Sequence, residues 1–329
     1  MSSQAPSTGN AAPETSSPKT VTAVRIHRFG GPEALQVEQI AMPGPKDDEV
    51  LLRVGAASVN PVDYKIRAGK APYLKEDQLP AVLGRDVAGT IEACGTRAHY
   101  MMRKGDRLFA MLGFDRGAYA DHVIVKAAEM VAMPEKLDFP AAAAVPLAGL
   151  TAWQGLFRHG GLQRGQRVLI HGGSGGVGHL AVQFAKAKGA HVLTTARGED
   201  ADFLREIGAD EVIDYKNQRF EEIATDIDLV LDLVAGETQD RSWAVLKRGG
   251  IIVSTLAEPD QDRAEAEGKR GTHFLAEVDA GQLQEIADLI EAGRVAPHVA
   301  RTFPLEEARA AQEALEHEHV RGKIVLTVD

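Results

Sequence analysis

The residues with the clearest chemistry lie in one run, Gly172-Gly-Ser-Gly-Gly-Val-Gly178. It follows the short apolar segment Arg167–His171. It leads into Val177, Leu180, Ala181, Phe184 and Ala185 at helical spacing. A strand, a glycine-rich turn and a helix start together make a diphosphate site. The glycines permit a tight turn and close backbone approach, and the helix N-terminus offers unpaired N–H groups and the positive end of its dipole. The next apolar segment ends Thr194-Thr195-Ala196-Arg197. A carboxylate at that tip would hold a ribose 2′-hydroxyl, and none is present. Arg197 can instead pair with a 2′-phosphate, with Thr195 as a hydroxyl donor, so NADPH is expected rather than NADH. Glu199 and Asp200 come slightly later and are expected to cap the following helix.

Metal and thiol chemistry look poorly supplied. Cys94 is the single cysteine. An intrachain disulfide and any multi-cysteine zinc site are therefore excluded. Cys94 follows a strand in an apolar setting and is expected to be buried and inert. The eleven histidines are scattered. The one close pair, His317 and His319, is spaced i,i+2 and does not share a helix face. No metal is expected.

The elements that position the turn divide the chain in two. From Val21, short strands with glycine and proline punctuation (21–27, 49–60, 85–93, a strand after Asp106, and 119–125) predict a compact β-rich unit. After Pro140 the pattern becomes helix 141–156, then alternating strands and helices, which predicts a doubly wound parallel sheet. Two amphipathic helices, 281–292 and 305–316, precede a final strand, 322–328. That strand fits the first unit, so the chain is expected to return and close it. The expected boundaries are a disordered tail at 1–20, a dinucleotide unit at 141–272, and a second unit made of 21–140 with 273–329.

A chain of 329 residues with 44% apolar and 26% charged residues is ordinary for a globular protein of two domains. The net charge of −10 argues against a broad nucleic-acid surface. No segment approaches a membrane span, and the first residues lack the basic start and apolar run of a secretory signal. No nucleic acid and no membrane partner is expected, and a cytoplasmic setting is.

Several runs together resemble a known family: Gly84-Arg-Asp-Val-Ala-Gly89, Ala144-Val-Pro-Leu-Ala-Gly-Leu-Thr151, the turn at 172–178, and Gly322-Lys323. They are similar to the medium-chain dehydrogenase/reductase superfamily, in its zinc-free quinone oxidoreductase branch, which includes alkenal and enone reductases. The resemblance runs from about Val21 to Val328. It implies an α/β protein with a Rossmann-type doubly wound parallel sheet plus a β-rich GroES-like catalytic domain. Zinc-dependent relatives carry Cys where this chain has Asn60 and His-Glu where it has Arg85-Asp86.

The implied activity is hydride transfer from NADPH to a quinone or an α,β-unsaturated carbonyl. The alternative is a non-catalytic NADPH-binding redox sensor or scaffold. The implied catalytic residues are Asn60, Tyr64 and Lys65, on a turn beside the nicotinamide. Ser174, Gly175, Gly176 and Val177 are implied at the pyrophosphate, Thr151 near the carboxamide and Tyr215 at the adenosine phosphate. Phe274 and Lys323 are implied in the cofactor cleft. Plainer roles stand beside these: loop packing for Tyr64 and Lys65, back-bonding within a helix for Thr151, and covering the sheet edge for Tyr215. A homodimer is also implied.

Overall fold

The computed structural model describes residues 19–100 and 102–328. The expected tail therefore lies almost entirely outside the described residues. Six strands form the parallel sheet: Arg167–His171, His191–Ala196, Glu211–Asp214, Ile227–Asp232, Leu246–Ser254 and Arg270–His273. Numbered along the chain, their spatial order is 3-2-1-4-5-6. The order reverses beside the first strand, and that crevice is where open α/β sheets bind ligands. Val168, Leu169 and Ile170 are fully buried, as a strand covered on both faces requires.

The β-rich unit has a three-stranded sheet and a seven-stranded sheet. Its long strand, Glu49–Val59, pairs antiparallel with Asp86–Cys94 and with the last strand, Lys323–Thr327. Two registers matter for function. Ser58 faces Asp86, and Ile324 faces Val59. The final strand thus closes the first unit, and it carries Lys323 up to Asn60.

Three sequence expectations change. Residues 60–65 are not a turn: Pro61–Arg67 is an α-helix with proline at its first position. The expected helix 141–156 is broken into Phe139–Ala143, Pro146–Trp153 and a π-helical turn, Gln154–His159, because Pro146 cannot continue the first helix. The chain rejoins the β-rich sheet at Val299–Pro304, later than residue 273. Helix Ala280–Glu291 first packs on Pro146–Trp153, burying Leu283, Ile286 and Ile290.

Candidate functional site

A cleft of about 620 Å³ runs between the two units, from Tyr215 and Arg197 at one end to Asn60 and Lys323 at the other. Its floor is the turn after Arg167–His171. Gly172 has φ +74°, which favours glycine. A Cβ on Gly178 would stand 2.2 Å from the Gly172 carbonyl oxygen, so the helix Gly178–Ala187 can begin there only with glycine. Ser174, Gly175, Gly176 and Val177 all line the cleft.

The turn is held by buried neutral histidines. His179 accepts from the His298 N–H at 3.1 Å, so its other ring nitrogen donates to the Gly175 carbonyl at 3.0 Å. Burial lowers its pKa to about 4. His171 pairs with the hydroxyls of Thr195 at 3.0 Å and Ser242 at 2.9 Å, and burial likewise lowers it to about 4. The Gly322 N–H donates to the Ser174 carbonyl at 2.8 Å, stitching the turn to the returning strand.

At the end of the cleft beyond the turn, Arg197 and Tyr215 lie side by side. The Arg197 Nε has no hydrogen-bond partner among the described residues, and one Nη contacts Glu199 only at 3.4 Å. Asp214 is engaged by Asn217 and the Lys216 N–H. Thr195 lines the cleft, but its hydroxyl is used by His171 and the Gly172 N–H. Asp200 does not cap the next helix as expected. It is buried and accepts from His319 and Arg321, both at 2.8 Å, tying the loop after Arg197 to the C-terminal segment.

The opposite end is a network of buried polar side chains. Asp86 is fully buried and accepts from the Ser58 hydroxyl at 2.5 Å, the Asn60 amide at 2.8 Å and the Leu147 N–H at 2.7 Å. Lys323 is 4% exposed and donates to the Val59 carbonyl at 3.1 Å and to the Asn60 Oδ1, with Asp86 4.0 Å away. Burial lowers the lysine pKa, opposed by the charges of Asp86 and Asp63. Asp63 caps the new helix by accepting from the Asn60 N–H at 2.8 Å, and it also accepts from the Tyr119 hydroxyl at 3.0 Å. Burial raises its pKa to about 7. Asn60 is thus clamped at both ends of its amide; beyond Asp86 its nitrogen reaches only the Ser58 carbonyl and hydroxyl, both at 3.5 Å, so its second N–H is weakly engaged.

Four implied residues sit elsewhere. Tyr64 and Lys65 do not line the cleft, because the helix that replaces the expected turn packs on helix Ala308–His317. Burial and the nearby Glu316 carboxylate raise the Tyr64 pKa. Thr151 donates back to the Leu147 carbonyl at 2.6 Å, while Ala148, one turn earlier, lines the cleft. Phe274 stacks on His159 at 4.5 Å beside the π-helical turn, away from the cleft lining. Cys94 is half-buried rather than buried, and burial raises its pKa.

Sequence reasoning missed Asp86 as the hub and gave Lys323 too little. The signal was present in Ser58-Val-Asn60 against Gly84-Arg-Asp86, but only strand register makes it a cluster. It also missed His171 and His179, which look like scattered histidines until the turn is folded.

Residues 46–135 match the alcohol dehydrogenase GroES-like domain, and residues 207–326 match the family described as zinc-binding dehydrogenase. The chain is 34% identical to NAD(P)H oxidoreductase RTN4IP1, mitochondrial, from Mus musculus, over 92% of this chain and 88% of that protein. It is 32% identical to the quinone oxidoreductase of Homo sapiens, over 94% and 98%. The solved structure of the quinone oxidoreductase from Coxiella burnetii superposes with a TM-score of 0.88 at 36% identity, covering 94% of this chain and 100% of that chain.

Proposed function

The chain belongs to the medium-chain dehydrogenase/reductase superfamily, in its quinone oxidoreductase branch, and on that premise we propose that it reduces quinones or α,β-unsaturated carbonyls with NADPH and without zinc. The observation that carries the reading is the clamped Asn60, with the buried Lys323 charge behind it, at the far end of a dinucleotide cleft.

The residues fit NADPH. Ser174 to Val177 offer backbone at a helix start, and the unpartnered Arg197 Nε with Tyr215 beside it suits a 2′-phosphate. When bound, the dihydronicotinamide supplies the hydride. Asn60 uses its remaining N–H to hydrogen-bond the acceptor oxygen as negative charge develops there, and the Lys323 ammonium stabilises that charge through Asn60. Asp86 keeps the amide from rotating, so no reorganisation is needed during the reaction. Tyr64 and Lys65 play no part in this machinery.

The same cluster argues for zinc independence. Asn60 and Arg85 are not zinc ligands, and the lysine ammonium already neutralises Asp86, so a second cation there would be repelled. Among the described residues, no helix is long and apolar enough to cross a membrane. A single cysteine suits a reducing compartment, read here as the cytoplasm. The edge strand Arg270–His273 is the proposed dimer contact.

The test is turnover by protein treated with a strong chelator. A simple quinone and a short enone should be reduced at undiminished rate, and a saturated ketone should not. Loss of quinone turnover that zinc restores would contradict the proposal. Tight NADPH binding without turnover of any acceptor would favour the sensor or scaffold reading.

A further inference from the structure

One fully buried carboxylate takes no part in the Asn60 network. Asp232 ends the fourth strand of the parallel sheet, Ile227–Asp232, in register with Ser254, the last residue of the fifth. Its Oδ1 accepts from the Val234 and Ala235 N–H groups, at 3.0 and 2.8 Å. Its Oδ2 accepts from the Gln239 amide at 3.0 Å and the Ser254 hydroxyl at 2.9 Å. All four donors are neutral. A buried carboxylate is costly unless donors replace its water, and here they do.

These contacts lead to two loops at the cleft. The Ser254 Oγ in turn accepts from the Leu256 and Ala257 N–H groups, both at 3.3 Å. The Gln239 amide also donates to the Ala257 carbonyl at 3.1 Å. One carboxylate therefore pins loop 233–236 after the fourth strand and loop 255–257 after the fifth. The first loop is held against its own backbone preference. Ala235 has φ +64°, a left-handed conformation that its Cβ disfavours, and Gly236 follows at φ +61°. A residue stays there only where its surroundings over-determine it, and the bond from the Ala235 N–H to Asp232 does so.

Each loop presents an apolar side chain. Val234 is 49% exposed and Leu256 46%, and both line the cofactor cleft. Large apolar side chains left half exposed in a cleft mark a surface that a ligand covers. Arg197 and Tyr215 follow the second and third strands, and the glycine turn follows the first. On the function proposed above, these take the adenosine and the phosphates. The wall beyond the fourth and fifth strands is left for the other half of the dinucleotide.

We propose, on that reading of the cleft, that Asp232 is the positioning residue for the nicotinamide half of NADPH: it fixes the two loops so that Val234 and Leu256 form the apolar wall against which the ring lies. Asp232 stands behind the lining residues and acts through the loops.

The experiment compares NADPH with adenosine 2′,5′-bisphosphate, which lacks the nicotinamide. Each is titrated by calorimetry into the full chain, unaltered and as Asp232→Asn. An amide cannot accept at both ends, so one of its contacts becomes donor against donor. NADPH affinity should fall by at least about tenfold, and that of the bisphosphate by less than about twofold. The fluorescence of the bound dihydronicotinamide should also move toward that of free NADPH. A carboxylate that merely stabilised the fold would not separate the two ligands. Ser254→Ala is the second variant should Asp232→Asn fail to fold. It removes the hydroxyl that joins the loops, and it should weaken NADPH several-fold while sparing the bisphosphate. Equal losses of both ligands, or no loss of either, would overturn the proposal. Unaltered protein that binds neither ligand would overturn the NADPH reading and this one together. The expected split without any quinone turnover would support Asp232 in this role and count against the reductase reading alone.

Discussion

At the end of the cleft proposed for adenosine and phosphates, the turn at 172–178 offers backbone groups and empty space, held from beneath by neutral histidines. At the other end, Asn60, Asp86, Lys323 and Asp63 offer side chains, all buried, several charged and each held by the others. The turn leaves room because its side chains are small or missing. The other end is filled by side chains that are present and paired. The two should therefore fail in different ways: added atoms damage the first, and removed charges damage the second.

The largest contrast should come from Gly178→Ala and Lys323→Met. In Gly178→Ala the new methyl meets the Gly172 carbonyl at 2.2 Å, so the turn or the helix must move. NADPH affinity should fall by about 100-fold or more, read by fluorescence titration, with a smaller change in the unfolding midpoint. Lys323→Met should do the reverse. It leaves the Asn60 Oδ1 and Asp86 without their cation, at a cost of about 3–5 kcal/mol in urea unfolding. Equal effects of both changes on affinity and stability would remove the distinction.

Next in size is the response to pH, which should have opposite sign at the two ends. His171 and His179 have folded pKa values of about 4, below the ordinary 6.5. The stability they contribute is present above about pH 6.5 and is lost as pH falls through about 4, at roughly 3 kcal/mol each. Asp63 has a folded value of about 7 against an ordinary 3.8. Its favourable contribution is present below about pH 4 and is lost as pH rises through about 7. Urea midpoints measured across this range should show the acid-side loss reduced in His179→Gln and the loss toward neutrality reduced in Asp63→Asn. Identical pH profiles in both variants would show that burial is not what sets these groups apart.

The same contrast explains what could be read from the sequence. The end proposed for the phosphates is local: strand, turn and helix start are contiguous, so spacing alone gives the strand, the glycine turn and the helix start that the structure has. The doubly wound parallel sheet follows from alternation of short elements; its strand order does not. The other end is assembled from residues far apart in the chain, Ser58, Asn60, Asp86 and Lys323, joined only by strand register. Tyr64 and Lys65 stand off the cleft lining for a related reason. A proline after a strand suits a turn as well as a helix start, and here Pro61 opens a helix that packs on Ala308–His317. The buried histidines were invisible because nothing in a lone His distinguishes a turn support from a surface residue.

The smallest expected effect is also the most direct test of the account, because it needs turnover, cofactor binding and the adenosine-end assignment together. It is the ratio of kcat/KM for NADPH to that for NADH, with a simple quinone as acceptor, in the unaltered protein and in Arg197→Ala. The account predicts quinone turnover, a clear preference for NADPH, and a fall in that preference by about 10- to 100-fold in the variant, mainly through a higher KM for NADPH. Equal use of NADH and NADPH by the unaltered protein, or a preference that Arg197→Ala leaves intact, would contradict it.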